Sequence, residues 1–278
     1  MTAFAERLTR AIREHGPLCV GIDPSAALLK SCGLPDSADA ALEFGRRVLQ
    51  AAEFKLAIIK PQSAFFERFG SAGVRALEEL TVLAREREVL VLLDGKRGDI
   101  DTTGAAYAES FFGAHTPLKV DAVTTHPYLG IGALDPFFDI TVRAGGGAFV
   151  VVRSSNSEGQ ALQTARMANG ATVAEHLSSE IEARNRKYGA TPLGPLGAVV
   201  GATCDDAAQT AASMPSAFIL APGVGAQGAT MHDIAVRMPQ ARGRVLPNVS
   251  RAIIANGASL EAMRTTIRAL QAQASELV

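Results

Sequence analysis

Short apolar runs, several rich in β-branched residues, alternate along this chain with longer stretches whose apolar positions recur at helical spacing. Leu18 to Ile22, Phe54 to Ile59, Val89 to Leu93, Ala122 to Thr125, Gly147 to Val152, Leu196 to Gly201, Ala217 to Leu220 and Val245 to Val249 each read as a strand buried on both faces. Between them, Asp39 to Glu53, Ser71 to Arg87, Thr102 to Phe112 and Ser259 to Gln273 carry helical periodicity. A further helix precedes the first strand, with Phe4, Leu8, Ala11 and Ile12 on one face and charges between them. Eight strand-then-helix units predict an α/β fold, a (β/α)8 TIM barrel with an extra N-terminal helix. No linker or composition shift breaks the pattern, so a single domain is expected over residues 1–278.

The ends of the apolar runs carry the chemistry. Asp23, Lys60, Asp94, Lys96, Ser155 and Arg251 all fall at or just past a C-terminal strand end, the face on which barrels build their active sites. The richest of these ends is VLVLLDGKRGDIDTT, Val89 to Thr103, where apolar wall turns abruptly into charge. Side chains alternate along a strand, so Asp94 and Lys96 point to the same side, and Asp99 follows the bend that Gly98 permits. Taken alone, D-x-K-x-x-D fits an ion pair followed by a helix cap, Asp99 or Asp101, as well as it fits a catalytic site.

Two loops add to this picture. Ser154 to Thr172 is long for a strand-to-helix connection and rich in Ser, Gly, Asn and Ala, which after a fifth strand suggests a lid over a ligand. Pro222 to Gly228, PGVGAQG, contains a literal G-x-G-x-x-G at Gly223, Gly225 and Gly228. It comes late, and no acidic residue ends the next strand, so it is a poor dinucleotide fingerprint. After the seventh strand of a barrel such a loop suits phosphate, with Gln227 donating an amide and Arg251 gripping two oxygens.

Composition narrows the class. With 47% hydrophobic residues the 278-residue chain can bury a large core. Twenty-seven Lys and Arg stand against 28 Asp and Glu, a net charge of −1, so no overall field draws it to nucleic acid or membrane. Cys19, Cys32 and Cys204 are dispersed, as expected of reduced thiols in a cytoplasmic protein, and no apolar run is long enough for a signal peptide or a span. The five histidines, among them His126 at a strand tip, lack metal-ligand spacing, so no metal is expected. Arg97-Gly98-Asp99 spells an adhesion tripeptide, a coincidence in a chain without a secretion signal.

The stretch D-G-K-R-G-D-I-D-T-T from Asp94, P-G-V-G-A-Q-G from Pro222, V-G-I-D-P from Val20, K-P-Q-S-A-F-F-E from Lys60 and the late Arg251 together resemble orotidine 5′-phosphate decarboxylase, in its mycobacterial-type branch. The resemblance implies conversion of orotidine 5′-phosphate to uridine 5′-phosphate, the final step of de novo UMP biosynthesis, with no metal or organic cofactor. It also implies a homodimer with shared active sites. Lys60, Asp94, Lys96 and Asp99 would form the charged tetrad, with Lys96 stabilising and protonating the C6 carbanion. Asp99, Ile100 and Thr103 would reach into the neighbouring subunit's site. Asp23 would bind ribose hydroxyls, and Ser155 would contact the pyrimidine, although Ser154 competes for that role. Pro222, Gln227 and Arg251 would hold the phosphate end. His126 stands where the family pattern has asparagine.

A rival on the same barrel is a metal-dependent sugar-phosphate decarboxylase or aldolase. It requires further carboxylates at neighbouring strand tips, where this chain has Lys60, His126 and Ser155. A non-catalytic phosphate binder would explain the glycine loop and leave a lysine between two aspartates unexplained.

Overall fold

A computed structural model describes residues 3–225 and 228–278. Eight parallel strands close into a barrel in sequence order: β1 (Cys19–Ile22), β2 (Ile58–Pro61), β3 (Leu90–Arg97), β4 (Ala122–Thr125), β5 (Gly147–Arg153), β6 (Leu196–Val200), β7 (Ile219–Ala221) and β8 (Val245–Val249). β8 returns to β1 through Cys19 opposite Asn248 and Val20 opposite Val249, which completes the TIM barrel. The helices, in chain order, are α1 (Phe4–His15), α2 (Ala26–Ser31), α3 (Ala38–Ala51), α4 (Ser63–Glu67), α5 (Gly70–Arg85), α6 (Asp101–Phe112), α7 (Asp135–Arg143), α8 (Ser157–Gln163), α9 (Val173–Lys187), α10 (Ala207–Ala212), α11 (Met231–Arg237) and α12 (Leu260–Ala274).

The period-two alternation of the strands splits the apolar residues into two clusters. Val20, Ile22, Ile59, Val91, Leu93, Val123, Val150, Ala198 and Ile219 face outward onto the helices. Cys19, Ile58, Leu90, Leu92, Ala122, Phe149, Val199, Phe218 and Leu246 face inward and join the apolar face of α1. That extra helix plugs the N-terminal end of the barrel. The Phe4 ring meets Phe149 edge-on at 6.1 Å and Phe218 at 6.3 Å, and a Cβ at Gly147 would collide with it. Arg7 fixes the plug by pairing with Asp121, whose other oxygen accepts from the Val91 amide at 2.9 Å.

Strand and helix types follow the sequence pattern, while several boundaries move. β2 begins at Ile58 rather than Phe54, because Glu53 and Phe54 turn the chain with φ of 53° and 57° and the Phe54 ring instead carries the Arg87 guanidinium at 4.4 Å. β3 runs past Leu93 to Arg97, so Asp94 and Lys96 lie on the strand itself. Neither Asp99 nor Asp101 caps α6: Ile100 occupies the N-cap, no side chain caps it, and Asp101 is its first helical residue with φ of 44°. Ser154 to Thr172 is no structureless insertion, since it holds α8 and a short antiparallel bridge between Arg166 and Thr172.

Candidate active site

Inward positions change from apolar to charged toward the C-terminal ends of β2 and β3. Two residues after Ile58 comes Lys60, and two after Leu92 comes Asp94, each buried against the layer below. The Asp94 carboxylate accepts from Lys60 Nζ at 2.8 Å and Gln62 Nε2 at 3.0 Å through one oxygen. Through the other it accepts from Lys96 Nζ at 2.5 Å and Thr124 Oγ1 at 2.8 Å. Thr124 Oγ1 in turn accepts from the Lys96 amide at 3.0 Å, which ties the lysine's backbone to β4. Lys96 itself has φ of 45°, in the left-handed region, and its side chain is 49% exposed. One ammonium is therefore sealed in the barrel and the other stands at its mouth.

The electrostatics favour this charged arrangement. Burial alone would raise the Asp94 carboxyl, but Lys60 and then Lys96 outweigh it and hold the group well below the usual carboxylate range. Burial alone would lower the Lys60 ammonium, yet Asp94 and then Asp23 hold it above the usual lysine value. Asp23 Oδ1 lies 4.0 Å from Lys60 Nζ and is buried without a hydrogen bond among the described residues, while the Asp23 side chain as a whole is 25% exposed.

Of the other expected site residues, Asp99 is half-buried on the loop after β3 and its Oδ1 accepts from the Ile100 amide at 2.8 Å. Among the described residues no ion pair joins it to Lys96, and Asp94 is the carboxylate there that pairs with that lysine. Ile100 and Thr103 are exposed beside it. Ser154 and Ser155 follow β5, and the backbone of Ser155 rests against the end of β6, where a Cβ at Gly201 would stand 2.9 Å from its nitrogen. Pro222 opens the glycine loop, whose Gly223, Gly225 and Gly228 take φ of 109°, 75° and 85°. A side chain at Gly225 would meet Ala252 at 3.1 Å, so this loop and the exposed Arg251 lie side by side. Gln227 lies outside the described residues. The His126 amide donates to the Arg97 carbonyl at 3.3 Å, and no Cβ fits at Gly98 beside the His126 carbonyl.

Sequence reasoning missed Gln62 and Thr124. Their signal was available as register, since Gln62 stands two residues after Lys60 and Thr124 two after the inward Ala122. Their meeting at Asp94 depends on which strands are neighbours.

The family model described as orotidine 5′-phosphate decarboxylase / HUMPS matches residues 16–266. The chain belongs to this family. A relative from Salinispora arenicola, named orotidine 5′-phosphate decarboxylase, is 48% identical over 264 residues, covering 95% of this chain and 94% of its own. A crystal structure of a candidate orotidine 5′-phosphate decarboxylase from Streptomyces avermitilis matches with a TM-score of 0.91 at 43% identity, over 100% of this chain and 95% of that one. Leishmania donovani OMP decarboxylase matches with a TM-score of 0.78 at 31% identity, over 98% and 99% of the two chains. Within the orotidine 5′-phosphate decarboxylase / HUMPS family, the arrangement here is a carboxylate shared by two ammonium groups, with a glycine loop and an arginine across the barrel mouth. Such a site can bind an anion at one side and supply a proton at the other.

Proposed function

We propose that this chain catalyses the decarboxylation of orotidine 5′-phosphate to uridine 5′-phosphate in de novo pyrimidine synthesis, as a carbon–carbon lyase and as one barrel domain. The observation that carries this reading is the Lys60–Asp94–Lys96 chain at the mouth of a barrel of this family. Breaking the bond between C6 and the carboxylate leaves an electron pair in an in-plane orbital that the ring does not delocalise. The barrier is therefore mostly electrostatic. Lys96 stands beside C6, stabilises the developing carbanion and then delivers its proton. Asp94 faces the departing carboxylate and orients Lys96, while Lys60 balances the buried charge.

Asp23 binds the ribose hydroxyls, and the loop from Pro222, with Gln227 and Arg251, holds the phosphate. Ser155 contacts the pyrimidine. The neighbouring Ser154 hydroxyl donates to Asn156 Oδ1 at 2.6 Å. Phosphate binding, remote from C6, supplies energy for closure and exclusion of water. The reaction as drawn uses no metal or organic cofactor.

The working form is a cytoplasmic homodimer in which Asp99, Ile100 and Thr103 enter the neighbouring subunit's site. Asp99 without a cationic partner among the described residues supports this, as do Ile100, Tyr128 and Leu129, apolar yet 50%, 76% and 55% exposed on adjoining loops. Among the described residues no helix is long and apolar enough to cross a membrane.

The metal-dependent sugar-phosphate reaction fits this donor set poorly. Both Asp94 oxygens already face ammonium groups, which would repel a divalent cation. Loss of orotidine 5′-phosphate absorbance, followed with and without a chelator, tests the proposal. Chelator-resistant formation of uridine 5′-phosphate is the expected result, and no conversion by folded protein would overturn it.

A further inference from the structure

The short helix α8 has no buried residue, so packing does not hold it against the barrel. At seven residues it is also too short to be stable by itself. Polar contacts hold it instead, and they converge on one side chain. Gln163, the last residue of α8, accepts through Oε1 from the Ser154 amide at 2.9 Å and from Arg153 Nη1 at 3.2 Å. Its Nε2 donates to Ser154 Oγ at 2.8 Å.

Ser154 is saturated by this network. Besides the Gln163 bonds, its hydroxyl donates to Asn156 Oδ1 at 2.6 Å, and its carbonyl accepts from Cys204 Sγ and Arg153 Nη1, each at 3.4 Å. Arg153, buried at the end of β5, donates through Nε to both Asp206 oxygens at 3.0 Å, which ties β5 to the loop after β6. The fit is close: a Cβ at Gly159 would stand 2.6 Å from Ser154 Oγ and 3.0 Å from Gln163 Nε2.

The geometry points to Gln163 as a positioning residue: it latches α8 across the end of β5 and fixes the backbone that carries Ser155 at the barrel mouth. This rests on the decarboxylase reading for its kinetic consequence alone. Gln163 touches no reacting atom. Its side chain holds the peptide from which Ser155 addresses the base, while the Lys60–Asp94–Lys96 chain lies on other strands and is left undisturbed.

Three proteins test this: wild type, Gln163→Met, which keeps the length and removes the hydrogen bonds, and Gln163→Glu, which keeps both acceptor bonds, one of them from Arg153, and loses the donor bond to Ser154. Two readouts are compared, amide hydrogen exchange over residues 154–163 and steady-state turnover of orotidine 5′-phosphate. In Gln163→Met, exchange in that segment rises about 10- to 100-fold, as expected for loss of three hydrogen bonds. KM rises about tenfold and kcat changes by less than about threefold in protein that stays folded, because a latch sets ground-state placement rather than the proton transfer. Gln163→Glu returns both readouts most of the way to wild type. Unchanged exchange or unchanged KM in Gln163→Met overturns the proposal, and so does a fall in kcat with KM unaltered. A wild type that exchanges normally yet turns over no substrate counts against the decarboxylase reading, and the exchange arm then decides the latch by itself.

Discussion

At the N-terminal end of the barrel the inward positions Ile58, Leu90, Leu92, Phe149 and Phe218 close with Phe4 into a dry aromatic and aliphatic layer. Further along β2 and β3 the inward positions are Lys60, Asp94 and Lys96. Side-chain direction is the same in both layers, and the environment is opposite. Burying an ion pair costs desolvation that its attraction seldom returns with profit, so the upper layer adds little to stability. Apolar burial at the lower layer, and between the strands and the outer helices, supplies what the upper layer spends. The two ends of one strand thus divide labour between folding and chemistry, as expected of a barrel whose active site sits at its C-terminal face.

Substitutions in both layers break or sharpen that division. The largest effect is expected at the mouth. Lys96→Ala lowers turnover of orotidine 5′-phosphate by about a thousandfold or more while the half-exposed side chain leaves stability within about 1 kcal/mol. Mixed with inactive Asp99→Ala protein under conditions of subunit exchange, it regains part of its activity through hybrid dimers. Near-normal turnover in Lys96→Ala would remove it from the chemistry, and no recovery despite exchange would remove the shared site.

The plug comes next. Phe4→Ala costs about 3–4 kcal/mol in denaturant unfolding, with kcat/KM unchanged where the protein remains folded. Full stability in that variant would mean that α1 is an ornament rather than part of the core.

Asp94→Asn crosses the division and is expected to damage both functions. It leaves Lys60 charged and buried beside a neutral amide, which costs on the order of 3 kcal/mol at neutral pH, besides the loss of activity. The Asp94 carboxyl titrates lower in the fold than in the unfolded chain, so its stabilisation is complete above the unfolded value, about 3.9, and is lost as pH falls through the lower folded value. The stability gap between wild type and Asp94→Asn therefore narrows below about pH 4. A gap that stays constant down to about pH 2 would show that the carboxylate is not held by its two lysines.

The sequence pattern made the barrel legible because each strand is a short run buried on both faces and ends where a charged or turn residue begins. β4 and β8 fall on the expected Ala122 to Thr125 and Val245 to Val249. Phe54 misled because an aromatic beside an apolar run looks like strand, whereas its positive φ and its contact with Arg87 arise only in three dimensions. Asp94 and Lys96 could be paired from their spacing along one strand. The Lys60 contact, and those of Gln62 and Thr124, needed the neighbour relations of β2, β3 and β4, which no local pattern encodes. The role of Gln163 was hidden for a similar reason, inside a stretch whose composition pointed to a mobile lid.

Lys96 holds a left-handed backbone conformation that its β-carbon makes costly, on the order of 1–2 kcal/mol, and the Thr124 hydroxyl on its amide helps to keep it there. Glycine would adopt the same angles without that cost. The ammonium at the barrel mouth is thus maintained against the preference of its own backbone, and selection for heat resistance alone would not keep it there.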